Sequence, residues 1–379
     1  MTDDKPFGLG LLGAGAFGRF CLRAYTRLDG VRPVAAARAR SDAARQLCDE
    51  MGLAVHDDYQ AVIDRAEVHV VHVATPPDRH HDLALAALRA GKHVLLEKPP
   101  ALTIEQAEEL VDAAAKAQRF CAVNFVLRYS PVTEAVRRLL AAGPLGAPLA
   151  ARVTNLGSDS GLGADHWFWN PDASGGIFIE HGVHFFDLYA AWLGPGEIVE
   201  AHELTRNGEL ADRVACTVRH APPEAPPVLV EHYHGFDQIG PMDRTEHRIV
   251  CEMGDVRVAG WLPAAVTVDA AVDDAGAETL AAACPDATIE TVDGAPGLAA
   301  HAGGLDIRGR GVMRHVTRRI RLHWAPSDAK EALYAEALRA LLRDQLAWAR
   351  GSSHERTVTE HNGPAAMACA VAAREAAGA

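Results

Sequence analysis

The feature that most constrains this chain is a glycine turn, Gly13-Ala14-Gly15-Ala16-Phe17-Gly18, placed directly after the apolar run Phe7 to Leu12. Strand, glycine turn and helix in that order form the opening unit of a dinucleotide-binding sheet. The glycines permit a tight turn, close approach of backbone to a pyrophosphate, and close packing of helix on strand. The helix N-terminus then points free N–H groups at the phosphates. Gly13, Gly15 and Gly18, with Ala16 and Phe17, are therefore candidate cofactor-binding residues. Glycine turns also join strands to helices for structural reasons alone, so the surrounding pattern has to agree.

It does agree as far as about Phe125. Short apolar runs at Pro33 to Ala37, Val68 to Ala74, His93 to Leu96 and Phe120 to Phe125 alternate with helical stretches at Ala16 to Leu28, Ser41 to Met51, Asp78 to Ala90 and Thr103 to Ala117. Strand and helix in alternation imply a parallel sheet covered on both faces. In the run 68–74, β-branched residues fill most positions, and His69 and His72 read as packing features. Thr103 and Gln106 have capping-box spacing.

After Arg128 the pattern changes to longer strand-like runs at 149–155, 214–220, 228–236 and 246–253, separated by Gly, Pro, Asn and Asp. Helices are expected at Val183 to Leu193, Asp328 to Arg350 and Gly363 to Ala376, and a Gly/Ala-rich loop at Pro296 to Arg310. The reading is thus an α/β chain with two parts. Residues 1–128 form a dinucleotide-binding domain on a parallel sheet, and residues 129–379 a second domain built on a sheet of longer, antiparallel-type strands.

The second strand of a dinucleotide fold commonly ends in an acidic residue that binds the adenosine ribose. Here the chain reads Arg38-Ala39-Arg40-Ser41 instead. A guanidinium matches a phosphate, so Arg38, helped by Arg40 and Ser41, points to NADP(H), with NAD(H) still possible.

Composition excludes several classes of partner. A formal charge of -13 provides no broad positive field for nucleic acid or anionic lipid. The N-terminus carries no basic and apolar leader, so a cytoplasmic location is expected. The 7 cysteines are scattered without close pairs, which suits buried thiols better than a disulfide framework or thiolate zinc site.

Three blocks together, 13–18, 73–103 and 175–194, resemble the Gfo/Idh/MocA family of oxidoreductases, and the resemblance spans both parts of the chain. It implies a Rossmann NAD(P)-binding domain over 1–128 followed by a substrate-binding α/β domain over 129–379, whose large, mainly antiparallel open sheet mediates dimer or tetramer contacts. It sets Thr75, Pro76, His80, Glu97, Lys98 and Asn124 at the cofactor edge, and makes Arg128-Tyr129 the entry to the second domain. Lys98 becomes the lysine that contacts the reacting oxygen, and His184 the histidine that takes or returns its proton. Glu180 stands where many members have aspartate, four residues before His184, and one helical turn would bring it towards that imidazole. Asp187, His181, Tyr129 and Trp167 join Glu180 as candidate substrate-binding residues, with His166 and Trp169 nearby; an aromatic face here could stack on a sugar ring or pack the sheet. His232 and His234 with Glu231 raise a metal site, but without a clear third ligand no metal is expected.

The implied activity is hydride transfer between nicotinamide and a secondary alcohol or ketone carbon of a sugar, cyclitol or related polyhydroxylated small molecule. An NAD-dependent glycosidase of the same fold and a non-catalytic dinucleotide sensor are the alternatives.

Overall fold

In the computed structural model, residues 5–206, 210–222, 225–292, 304–309, 312–351 and 353–378 are described. The first sheet contains β1 (Phe7–Leu12), β2 (Val31–Ala37), β3 (Ala54–His56), β4 (Val70–Val73), β5 (His93–Leu96) and β6 (Cys121–Val123), in the order β3-β2-β1-β4-β5-β6. Every pairing in it is parallel. The helices α1 (Ala16–Tyr25), α2 (Asp42–Glu50), α3 (Tyr59–Ile63), α4 (His80–Arg89) and α5 (Ile104–Ala117) alternate with these strands. β4 and β5 are buried at every position, as strands sheathed on both faces must be. The strand order reverses between β1 and β4, which opens a crevice at their carboxyl ends. Gly13, Thr75, Glu97 and Asn124 all lie just past the ends of strands at that edge.

Local signals set the helix starts. The Thr103 hydroxyl accepts from the Gln106 backbone N–H, while the Gln106 amide oxygen reaches back one residue further than expected, to the N–H of Leu102. Ser41 caps α2 by accepting from the Ala44 N–H.

The second sheet contains β7 (Pro148–Ser158), β8 (Gly196–Thr205), β9 (Ala211–His220), β10 (Val228–Gln238), β11 (Arg244–Cys251), β12 (Gly254–Ala259), β13 (Ala265–Val272), β14 (Thr288–Thr291) and β17 (Arg318–Trp324). Their order is β14-β17-β13-β12-β11-β7-β10-β9-β8. It is antiparallel except where β7 runs parallel to β10. With it are α6 (Pro131–Ala141), α7 (Pro171–Ser174), α8 (Val183–Leu193), α9 (Asp274–Ala283), α10 (Lys330–Ala349) and α11 (Asn362–Ala376). Of the loop expected at Pro296 to Arg310, residues 296–303 and 310 lie outside the described residues. Leu305–Gly309 is instead strand β15, paired antiparallel with β16 (Val312–Val316). Leu305-Asp306-Ile307-Arg308 alternates apolar and polar residues, a strand period hidden by the glycines around it.

On β11 alternation is strict: Thr245, His247, Ile249 and Cys251 are buried, while Arg244, Glu246 and Arg248 are exposed. The inner face lies under α8, whose apolar residues run all round it. Phe185 packs on His234 at 4.6 Å between centroids, Phe186 on His232 at 5.2 Å, and Trp192 on His247 at 5.7 Å. The same alternation rules out convergence of His232, His234 and Glu231. The imidazoles are buried inside, whereas Glu231 is exposed and pairs with Arg152 at 3.1 Å. All the cysteines are free and buried. Among the described residues no helix is long and apolar enough to cross a membrane.

Burial pushes His93, His234 and His247 down to about 3 from the usual 6.5. These rings stay neutral in the folded chain while the unfolded chain binds protons below pH 6.5, so stability falls as pH drops from 6.5 towards 3. The expected slope is about 1.4 kcal/mol per pH unit for each such histidine. Urea midpoints measured at pH 7.5, 6.5 and 5.5 check this; an unchanged midpoint at 5.5 contradicts it.

Candidate active site

Two of the three motif glycines are demanded by space. Gly13 has φ +103, and a Cβ there would come 2.4 Å from the Ala74 carbonyl oxygen. A Cβ on Gly18 would come 2.2 Å from the carbonyl oxygen of Gly13, so this glycine lets α1 sit against the turn. Gly15 differs: a Cβ there would meet nothing within 4 Å, and no side chain caps α1. Open space in front of uncapped first-turn N–H groups is what a pyrophosphate requires. Gly15 and Ala16 are exposed, while Phe17 turns back onto Phe20.

Arg38 closes β2 in the left-handed conformation, φ +62, with its N–H donating to the His56 carbonyl. Its guanidinium lies over the Tyr59 ring at 5.2 Å, and its Nε is buried without a partner. Arg40 is exposed. Ser41, besides capping α2, accepts from Arg19 at 3.4 Å, adding a cation that the sequence did not single out.

At the ends of β4, β5 and β6, the Thr75 hydroxyl and the Asn124 side-chain oxygen are buried without partners, and Pro76 is exposed. Glu97 is fixed by two neighbours: His72 Nε2 lies 2.9 Å from its Oε1, and the Asn124 amide donates to the same oxygen at 2.7 Å. His72 therefore does more than pack. Cys21, His72 and Glu97 place ligand-type atoms within 4.8 Å of one another, but the imidazole and carboxylate already bond each other and burial pushes the thiol up. His80 corrects the expectation of a cofactor contact. Its ring nitrogens lie 2.6 Å from the Pro99 carbonyl oxygen and 2.8 Å from that of Thr75, so the buried ring braces two loops and has no nitrogen to spare.

Lys98 meets Glu180. Its ammonium donates to Glu180 Oε1 at 2.5 Å and to the Glu180 carbonyl oxygen at 2.9 Å. Glu180 lies in a π-helical turn, Phe178–Gly182, entered through Gly175 and Gly176 at φ +82 and +83. The wider turn aims its carboxylate at Lys98, and no hydrogen bond joins it to His184, which corrects the helical-spacing expectation. His181 and His184 are buried on the same segment; burial and then neighbouring charge, Lys98 included, push both well below the ordinary imidazole value. His184 Nδ1 and His181 Nε2 are buried without partners.

Asp187 and Tyr129 do not join this group. The Arg128 guanidinium holds the Asp187 carboxylate through two contacts of 2.6 and 2.9 Å, tying the turn Val126–Tyr129 to α8. The Tyr129 hydroxyl donates to Asp344 at 2.6 Å, on α10. Trp167 is partly buried, packed on His166 at 5.2 Å. Sequence reasoning missed Trp261, whose ring meets that of His184 in a T-shaped pair at 5.0 Å, and Tyr334, which packs on Phe17 at 5.9 Å. No local motif surrounds either one.

The family model described as "Oxidoreductase family, NAD-binding Rossmann fold" matches residues 7–125, and "GFO/IDH/MocA C-terminal domain" matches 133–224. Among curated relatives, "D-glucoside 3-dehydrogenase" of Escherichia coli (strain K12) is 33% identical over 216 residues, 55% of this chain and 60% of that protein. "Inositol 2-dehydrogenase 2" of Saccharopolyspora erythraea is 34% identical over 207 residues, 53% of this chain and 58% of that protein. The chain thus spans less than two thirds of the length of these relatives. A solved structure of levoglucosan dehydrogenase, in complex with NADH and levoglucosan, superimposes with TM-score 0.74 over 99% of this chain and 98% of its own, at 22% identity. At that identity the likeness is one of fold.

If Asp187 holds Arg128 rather than substrate, Asp187→Ala leaves a mostly buried guanidinium without its carboxylate and lowers unfolding free energy by about 3–5 kcal/mol. Denaturant melts of the variant decide the point, since a substrate contact would leave them unmoved.

Proposed function

The chain belongs to the Gfo/Idh/MocA oxidoreductase family, and from that premise we propose that it transfers a hydride between a nicotinamide dinucleotide and a secondary alcohol or ketone carbon of a sugar, cyclitol or related polyol. The observation that carries the reading is the Lys98 ammonium pinned by Glu180 beside histidines held neutral, just past the end of β5. Relatives named for a glucoside and an inositol support the substrate class.

The glycine turn fits a dinucleotide, with Gly15 leaving room for phosphate and Thr75 and Asn124 offering unpartnered polar atoms. The nicotinamide, when bound, supplies the hydride acceptor or donor; the chain supplies binding and proton handling. Lys98 holds the substrate oxygen and offsets negative charge as it builds there. Glu180 aims the Lys98 amine. His184, neutral at rest, takes the hydroxyl proton during oxidation and returns it in reduction. Residues 1–128 hold the cofactor in this reading, and 129–379 choose the substrate. Assembly as a dimer or tetramer proceeds through the outer face of the second sheet, where ion pairs such as Arg248 with Asp255 and Arg152 with Glu231 offer complementary charge.

Arg38 selects NADP(H) over NAD(H) by meeting the 2′-phosphate, its guanidinium already steadied on Tyr59. Fluorescence titration with NADPH and NADH is the first test. Arg38→Asp should weaken NADPH roughly 10- to 100-fold, the cost of a charge-assisted contact, with NADH nearly unchanged. An unaltered preference removes Arg38 from the site.

For Lys98→Ala the expected outcome is a loss of about 10²–10³ in turnover with dinucleotide affinity within about twofold. Full activity in that variant would overturn the lysine's role, and absence of binding by either nucleotide would overturn the whole reading.

A further inference from the structure

Trp261 stands in the turn after β12, and its ring meets His184 edge to face, with centroids 5.0 Å apart and planes at 88°. Tyr334, in the second turn of α10, lies 5.6 Å from Trp261. On its far side it lies 5.9 Å from Phe17, in the glycine turn. The rings thus make a continuous row from the phosphate-facing turn to the proton-handling imidazole, assembled from three distant stretches of chain. Trp261, Tyr334 and Phe17 are only partly buried, whereas their chain neighbours Leu262 and Leu333 are buried. The row keeps aromatic surface available that core packing alone would have consumed.

The aromatic group around Trp169 is a weaker candidate for a ligand platform, because it is closed on itself. Phe168 and Phe236 lie 4.7 Å apart, Trp169 meets Phe236 at 6.5 Å, and the indole N–H of Trp169 donates to the Leu162 carbonyl.

We propose that Trp261 and Tyr334 form a platform for the C–H face of a ring-shaped polyol, making the site selective for cyclic over open-chain substrates. A pyranose or cyclitol with equatorial hydroxyls is polar at its rim and apolar on its faces. Laying a face on an indole buries apolar surface and leaves rim hydroxyls free to meet His184 and Lys98. An open-chain polyol presents no such face and loses torsional freedom when it binds. The proposal rests on the hydride-transfer reading above and assigns the residues that choose the substrate's shape.

The test compares wild type, Trp261→Ala, Trp261→Phe and Tyr334→Leu on myo-inositol, D-glucose and methyl β-D-glucoside as ring polyols, and on D-sorbitol as an open chain. Trp261→Ala should raise KM for the ring substrate roughly tenfold with kcat within about twofold, and Trp261→Phe should recover most of the loss. NADPH affinity, followed by fluorescence, should stay unchanged, which also certifies that each variant is folded. A KM that does not move, or that rises equally for D-sorbitol, overturns the platform. If no polyol is turned over although NADPH binds, the hydride-transfer reading fails by itself. Saturation-transfer NMR with myo-inositol and D-glucose on the NADPH-loaded protein then decides the platform. Transfer to the ring C–H protons that disappears in Trp261→Ala upholds it, and no transfer in wild type rejects it.

Discussion

Lys98 leaves the first sheet, Glu180 stands over the second, and their side chains meet where little water reaches. Removing both charges from water costs several kcal/mol for each ion, and attraction repays that only where the geometry is enforced. The enforcement comes from both sides. His80 ties the loop after Lys98 to the loop after β4 through two backbone carbonyls. Arg128, in the turn after β6, grips Asp187 one helical turn beyond His184, so the helix carrying the imidazole is anchored to the chain leaving the first sheet. Neither anchor touches substrate in this reading. Each fixes a residue that does.

Burial and the ammonium act on His184 in the same direction, since both disfavour a protonated ring. The proton-accepting form is therefore the resting form of that imidazole. The inner-face imidazoles follow the same logic. His181 and His234 meet edge to face at 5.5 Å, and a proton on either would face both the other ring and a medium that solvates charge poorly. In the proposed reaction, where one imidazole takes up one proton, neighbours that resist taking any serve the same end.

What the sequence disclosed follows from which interactions are local. β1, β5 and α8 run over the residues read from the chain, because a continuous apolar run or a helix apolar all round is its own signal. β3, three residues long, and β12, whose short run is broken by Asp255 and Arg257, carried too little pattern to stand out. Lys98, His184 and the glycine turn were legible because their surroundings are contiguous in sequence. The partner of Glu180 was not, because a π turn replaces the ordinary helical spacing there. Asp187 and Tyr129 were misassigned because their partners, Arg128 and Asp344, lie far along the chain. His80 was taken for a ligand contact when it bonds backbone, and Trp261 and Tyr334 reach His184 and Phe17 only through the fold.

The parallel pairing of β7 with β10 bears on how such a chain is made. Ala150 is opposite Leu229 on one side of β7 and opposite Val250 on the other, so neither flank of this central strand is closed by a neighbour in sequence. During synthesis β7 emerges first, and its hydrogen-bonding edges stay open until β10 and then β11 have followed. Long-range pairing of this kind is slow and exposes strand edges meanwhile. The segment that carries Glu180, His181 and His184 lies inside that interval. The part of the molecule built on the second sheet is therefore held back until the chain has passed Cys251, well after the first sheet has all its strands.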